Sequence, residues 1–272
     1  METVSRMLLK HGLCVFVSVL LLTTCARPQA VTNNPPRTIH VFVALADNQS
    51  QGIVPVAPKL GNGDDPNNNL YWGSAYGVKT FFSRSADWKL LNTGRGPKSE
   101  VLERCIFKHR SGSVYLVADA HRGSQIRQAI LDFLAASSGA NPERISVKDG
   151  SQTLDFQGGG DANLVAYIGH DGLMDFQLST FPKKANAGWR EAVILACYSK
   201  AYFGPALYAS GAYPLLWTNG LMAPEAYTLK SAVDGWILKE SNKQIQERAA
   251  AAYNQYQKCT LSAARKLLTT GW

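Results

Sequence analysis

The sequence has no apolar run long enough to cross a membrane as a helix. The longest, LCVFVSVLLL at 13–22, is about half of the roughly 20 residues a span requires. It has no block of five basic residues, although the formal charge is +8, so the positive charge is scattered and no nucleic-acid tract is expected. There is no Gly-x-Ser-x-Gly, which argues against the serine elbow of an α/β-hydrolase. There is no His-Glu-x-x-His either, which removes the common zinc-peptidase signature. The glycine run QGGGD at 157–161 precedes an apolar stretch instead of following one, so it reads as a turn and not as a dinucleotide fingerprint. Cys105 and His109 have metal-ligand spacing, but no second pair of ligands follows. The loop NGDDPNNN at 62–69 is rich in oxygen ligands yet lacks calcium-loop spacing, and reads as a solvated turn. No cofactor and no metal are expected.

Cysteine is also sparse, at five residues. Cys14 and Cys25 fall in an N-terminal segment with the form of an export signal: Arg6 and Lys10, then the short apolar run. Leu22 to Cys25 resembles a lipobox, with Thr24 departing from its usual small residue, so Cys25 is a candidate for lipidation and membrane anchoring. Conventional cleavage after Ala26 or Ala30 is the alternative. The expected organisation is a signal peptide over 1–30, a linker over 31–38 and one domain over 39–272, exported to the periplasm or secreted. The remaining Cys105, Cys197 and Cys259 are odd in number, so at least one is unpaired within the chain. A Cys105–Cys259 disulfide would leave Cys197 free.

Five apolar runs are spaced through the domain: 39–47, 113–119, 162–169, 191–197 and 213–218. They are continuous instead of alternating, and they are separated by helical or long segments. That pattern predicts a mostly parallel sheet covered on both faces, a three-layer α/β sandwich. Ile126, Ile130, Phe133 and Leu134 recur at helical spacing over 124–139, with Gly139 as a stop. Further helices are expected from Pro224-Glu225, from Ser241 with a Ser241/Gln244 capping box, and over 261–268.

In a parallel sheet, ligands sit beyond the carboxyl ends of the strands. The third run ends at His170 and the fourth at Cys197, an imidazole and a thiol leaving successive strands at one edge. A thiolate nucleophile needs a proton donor for its leaving group and backbone donors for the oxyanion. His121, ending the second run in DAHRG, is a rival base. His170 is preferred because it closes the strand just before the cysteine strand.

The motifs VAYIGHDG and AVILACYS resemble the strand-end His-Gly and Ala-Cys motifs of the caspase–legumain–gingipain superfamily of cysteine peptidases. The likeness runs as an order of elements from about 39 to 240, with residue-level matches in these two motifs. It implies a caspase-like domain acting on a polypeptide substrate. Cys197 would be the nucleophile and His170 the general acid. The oxyanion would rest on the backbone N–H groups of Cys197 and Gly172. Asp171 intervenes between His170 and Gly172, a departure that bears on the second oxyanion donor; Tyr198 follows Cys197 where caspases carry a basic residue and then Gly, so cleavage after Asp is not implied. The alternative is an inactive caspase-like or other α/β module that binds a ligand in the same crevice, with the aromatics of NNLYWGSAYG at 68–77 as its platform.

The export reading predicts a processed chain. Intact-mass analysis of protein from a secreting host should show loss of Met1 and a start at lipid-modified Cys25, at Arg27 or at Val31; abundant cytoplasmic protein retaining Met1 would contradict it.

Overall fold

The computed structural model describes residues 35–272, so the segment expected to be a signal peptide, with Cys14 and Cys25, and the first part of the expected linker lie outside the described residues. The five apolar runs form strands β1 (Arg37–Ala44), β4 (Val114–His121), β7 (Leu164–Ile168), β8 (Glu191–Leu195) and β9 (Tyr213–Thr218). They are parallel neighbours in the order β9-β8-β7-β1-β4. Arg37 and Thr38, expected in the linker, already belong to β1.

Their composition explains the arrangement. β4 and β7 are buried at every position, so side chains on both faces of the sheet need cover. One face carries Val41, Val43, Leu116, Ala166 and Leu195, packed beneath α4 (Ala226–Ile237) and α5 (Asn242–Gln257) through Leu229, Val233 and Ile245. The other carries Phe42, Val165, Tyr167 and Ile194. These meet α2 (Ile126–Ser138) and α3 (Ser199–Ser210) through Ile130, Phe133, Phe203 and Leu207. The chain is therefore an α/β protein with helices on both faces of a large, mostly parallel sheet. Gly139 ends α2 in the left-handed conformation, with φ of 86°. The Ser241 N–H donates to Gln244 Oε1 at 2.9 Å in the expected capping box.

The sheet is larger than the sequence pattern indicates, with eight strands. β2 (Trp88–Gly94) and β3 (Val101–His109) extend it antiparallel beyond β4, and β10 (Leu268–Thr269) pairs antiparallel with β9 at the far edge. A separate hairpin, β5 (Pro142–Asp149) with β6 (Gln152–Gly159), packs Ile145, Val147 and Phe156 on Ile106, Tyr115 and Val117. Two further helices, α1 (Val78–Arg84) and α6 (Leu261–Leu267), complete the described chain.

The hairpin is tied to the sheet by buried charges. Arg104 in β3 donates from Nε and Nη2 to Asp119 in β4, at 2.6 and 2.7 Å, and also pairs with Glu143 of β5. The Gly159 N–H donates to His40 Nδ1 at 2.9 Å, so the ring proton sits on Nε2, which donates to Asp119 Oδ2 at 3.0 Å. Burial raises the Asp119 carboxyl, but Arg104 and His40 together outweigh it and hold the group far below the usual range. Gly159 has φ of 57°, and a Cβ there would lie 2.2 Å from Asn141 O, so no other residue fits this corner.

All three described cysteines are unpaired. The Cys105–Cys259 bridge does not form. Cys105 is buried in β3 with its sulfur 3.5 Å from Thr93 Oγ1, while Cys259 sits in the connection between α5 and α6, so sheet and helix layers hold them separately.

Removing one partner of a buried ion pair leaves an uncompensated charge. Asp119→Ala should therefore destabilise the protein by about 3–5 kcal/mol, read as a shifted urea midpoint at neutral pH. A shift below about 1 kcal/mol would show that water reaches Arg104 in the folded state.

Candidate active site

β7 and β8 pair in register, with Ile168 opposite Leu195. Two residues beyond each of these come His170 and Cys197. Neighbouring strands lie about 4.8 Å apart, so the imidazole and the thiol leave the sheet side by side. Both line one cleft of about 250 Å³, whose walls include Ile53, Val54, Tyr71, Met174, Leu221 and Met222.

The turn that presents Cys197 is sharp. Tyr198 adopts the left-handed conformation, with φ of 48°, and Ser199 opens α3 directly after it. A buried hydroxyl pair at the end of β9 holds this turn. The Ser199 N–H donates to Thr218 Oγ1 at 3.1 Å, the Thr218 N–H donates to Ser199 Oγ at 3.0 Å, and the Thr218 hydroxyl donates to Ala196 O. The half-buried Cys197 sulfur accepts from the Met222 N–H at 3.4 Å. The Cys197 N–H itself makes no hydrogen bond to another described residue.

His170 is positioned from three sides. Gly169 turns the chain with φ of 149°, and a Cβ there would lie 2.9 Å from Ala44 O. The Tyr167 hydroxyl donates to His170 O at 2.7 Å. His170 Nε2 lies 2.6 Å from Asp175 Oδ2, which also accepts from the Gly52 N–H at 3.1 Å. With Nε2 engaged by a carboxylate, the proton on that nitrogen is fixed and Nδ1, which has no partner among the described residues, is left for chemistry. Asp175 is thus the orienting group of a Cys–His pair.

The residues around the dyad divide. The Gly172 N–H already donates to His170 O at 3.1 Å, and a Cβ on Gly172 would meet the Phe176 ring at 2.8 Å; the residue is buried in the turn and does not line the cleft. His121 is buried, with Nε2 3.2 Å from Asp132 Oδ2 and its ring beside Phe42 on the α2 face, so it too is outside the cleft. Cys105 and His109 bond to Thr93 and Ser111 respectively. No group of three or more His, Cys, Asp and Glu side chains among the described residues is arranged to hold a metal ion.

Three participants escape sequence reasoning: Asp175, Met222 and Tyr71. Asp175 had the faint signal of a carboxylate five residues after the histidine. Met222 contributes through its backbone and left no signal at all. Tyr71 falls in the aromatic stretch read as a binding platform.

Asp171 is fully buried. Its Oδ1 accepts from the Leu173 N–H at 3.0 Å, while Oδ2 has no partner. Burial, reinforced by nearby Asp175, pushes its carboxyl up to about 7. A carboxyl whose folded value is raised imposes no penalty below its unfolded value, about 3.9. The penalty grows as pH rises toward the folded value. Wild-type stability should therefore carry a downward component between about pH 4 and 7 that Asp171→Asn lacks, measured by comparing denaturation midpoints of the two proteins across that range. Parallel profiles would show that Asp171 is ionised in the fold at all of these pH values. Compared with known proteins, the chain matches no protein-family model, no curated protein and no solved structure.

Proposed function

We propose that the protein is a cysteine peptidase of the caspase–legumain–gingipain type. The observation that carries this reading is the sharing of one cleft by Cys197 and His170, delivered by adjacent parallel strands in register. The paired strand ends, in the order His then Cys, and the helices on both faces support the same likeness.

In the proposed reaction the Cys197 thiol passes its proton to His170 Nδ1 and the sulfur attacks the carbonyl carbon of a peptide bond. The carbonyl electrons move to oxygen, where the unengaged Cys197 N–H offers a hydrogen bond. As the intermediate collapses the C–N bond breaks, and His170 delivers a proton from Nδ1 to the departing amine. Asp175 holds the ring in place throughout. Water then attacks the thioester, returning the thiol.

The cleft also speaks to substrate class. Apart from His170, its lining is uncharged, and Val54 and Leu221 stand at its mouth 86% and 68% exposed. Exposed apolar side chains around a nucleophile favour an apolar partner. A substrate side chain such as Leu, Met or Phe beside the scissile bond fits this lining better than a charged one, which would lose water without gaining a counter-charge.

A set of fluorogenic peptides varied at that position tests both statements. Apolar members should be cleaved best. Cys197→Ala should abolish turnover, and His170→Ala should lower kcat by about 10²–10⁴-fold, whereas His121→Ala should leave it near wild type. Full activity in Cys197→Ala, or native Cys197 inert to iodoacetamide, would remove the peptidase reading and leave the cleft as a binding site for an apolar segment.

A further inference from the structure

The Gly172 N–H is held by His170 O, which leaves the Cys197 N–H as the unengaged backbone donor on the residue that carries the sulfur. An oxyanion is normally held by two donors. The structure assigns the second to a side chain: we propose that the Tyr71 hydroxyl is an oxyanion donor, and hence a catalytic residue. This rests on the reading of Cys197 as a nucleophile toward carbonyls.

Three observations carry it. Tyr71 lines the same cleft as Cys197 and His170 while remaining 7% exposed. Its hydroxyl makes no hydrogen bond to any described residue. The nearby phenols of Tyr167 and Tyr227, in contrast, donate to His170 O and to Glu225 Oε2. And the backbone that places it is locked. The Tyr71 N–H donates to Asn69 Oδ1 at 3.2 Å and its carbonyl accepts from the Val78 N–H at 2.9 Å. Asn69, itself fully buried, clamps the loop to the end of β1 through both the N–H and the carbonyl of Ala46. A rigid phenol with its donor unengaged, in the same cleft as the sulfur, is preorganised for charge that forms only during reaction. Burial, then the proximity of Cys197 and Glu225, raises the phenol far above its ordinary value, so it stays a protonated donor at neutral pH.

Acylation by 4-nitrophenyl acetate isolates the step. The Cys197 thiol gives its proton to His170 Nδ1 as the sulfur bonds to the acetyl carbon, and the carbonyl electron pair moves to oxygen and is met by the Tyr71 O–H. Collapse then expels 4-nitrophenolate and leaves acetyl-Cys197. Alkylation by iodoacetamide uses the same sulfur but displaces iodide at a saturated carbon and forms no oxyanion. Tyr71→Phe should slow the nitrophenolate burst by about 10²–10³-fold while alkylation of Cys197 proceeds at the wild-type rate. Since the hydroxyl has no partner in the free protein, Tyr71→Phe breaks no hydrogen bond and should melt at or above the wild-type temperature. The assignment is overturned by an unchanged burst, by equal slowing of both reactions, by loss of the fold in Tyr71→Phe, or by a wild-type burst that does not depend on Cys197. A wild type that acylates at Cys197 but cleaves no peptide would end the peptidase reading and leave the donor role of Tyr71 standing.

Discussion

Five neighbouring strands run parallel and are covered on both faces, and this one constraint organises the rest of the molecule. Parallel strands cannot be joined by tight hairpins, so the chain must return across a face of the sheet between them. Each return brings the next strand out at the same edge. His170 and Cys197 are far apart in no meaningful sense once β7 and β8 are paired with Ile168 against Leu195, because both lie two residues past that pair. The hydrogen-bonded ladder, not any contact between the two side chains, is what brings thiol and imidazole together. It also makes their placement rigid, since moving either would shift a strand buried among side chains on both faces.

What the ladder delivers, the turns must aim. Two solutions are visible at adjacent strand ends. After β7 the turn uses Gly169, where the close approach of Ala44 leaves no room for a side chain. After β8 a left-handed Tyr198 is held in place by Ser199 and Thr218, two buried hydroxyls that exchange bonds with each other's backbone and with Ala196. A non-glycine residue in that conformation costs free energy, and the clamp from β9 offsets it. The loop after β9 then returns Met222 to the sulfur, and the loop after β1 brings Gly52 to Asp175 and Tyr71 into the cleft. Four connections at one edge thus contribute to one site.

The same constraint sets how much was legible in the sequence. Strands buried on both faces are continuous apolar runs, so β1, β4, β7, β8 and β9 could be read directly, and with them the two strand-end residues, His170 and Cys197, that share the cleft. β3 reads VLERCIFKH, where Glu103 and Arg104 break the apolar run; both are compensated by partners distant in sequence, Lys79 and Asp119. β5 and β6 alternate apolar and polar residues because one side faces water, and their glycines and charges resemble loop. Nothing local announces that Arg104 will meet Asp119 and Glu143. Asp175, Met222 and Tyr71 were hidden for a related reason. Each reaches the site from a connection whose path depends on the finished fold, and Met222 takes part through its peptide, which any residue supplies.

Buried polar groups in folded proteins are nearly always paired, and the described part of this chain obeys that rule where charge is greatest. His40, Arg104, Asp119 and Glu143 satisfy one another across three strands of the sheet and the hairpin. The side-chain exceptions among the described residues are Trp88 Nε1, His121 Nδ1, Trp217 Nε1, Thr228 Oγ1 and, beside His170, Asp171 Oδ2. At the cleft the pattern inverts. The Cys197 N–H, the Tyr71 hydroxyl and His170 Nδ1 are all without protein partners, while the groups immediately behind them are bonded: Tyr167 to His170 O, Asn69 to the Tyr71 N–H, Thr218 to Ser199. A well-bonded shell thus supports a cluster of unengaged polar groups, and water in the cleft reaches the Tyr71 hydroxyl and His170 Nδ1, neither of which is sealed from solvent. In the proposed reaction an incoming carbonyl would displace that water and develop charge among groups already held in place. That preorganisation, more than the identity of any one residue, is the physical ground for the proposal of reaction at a carbonyl.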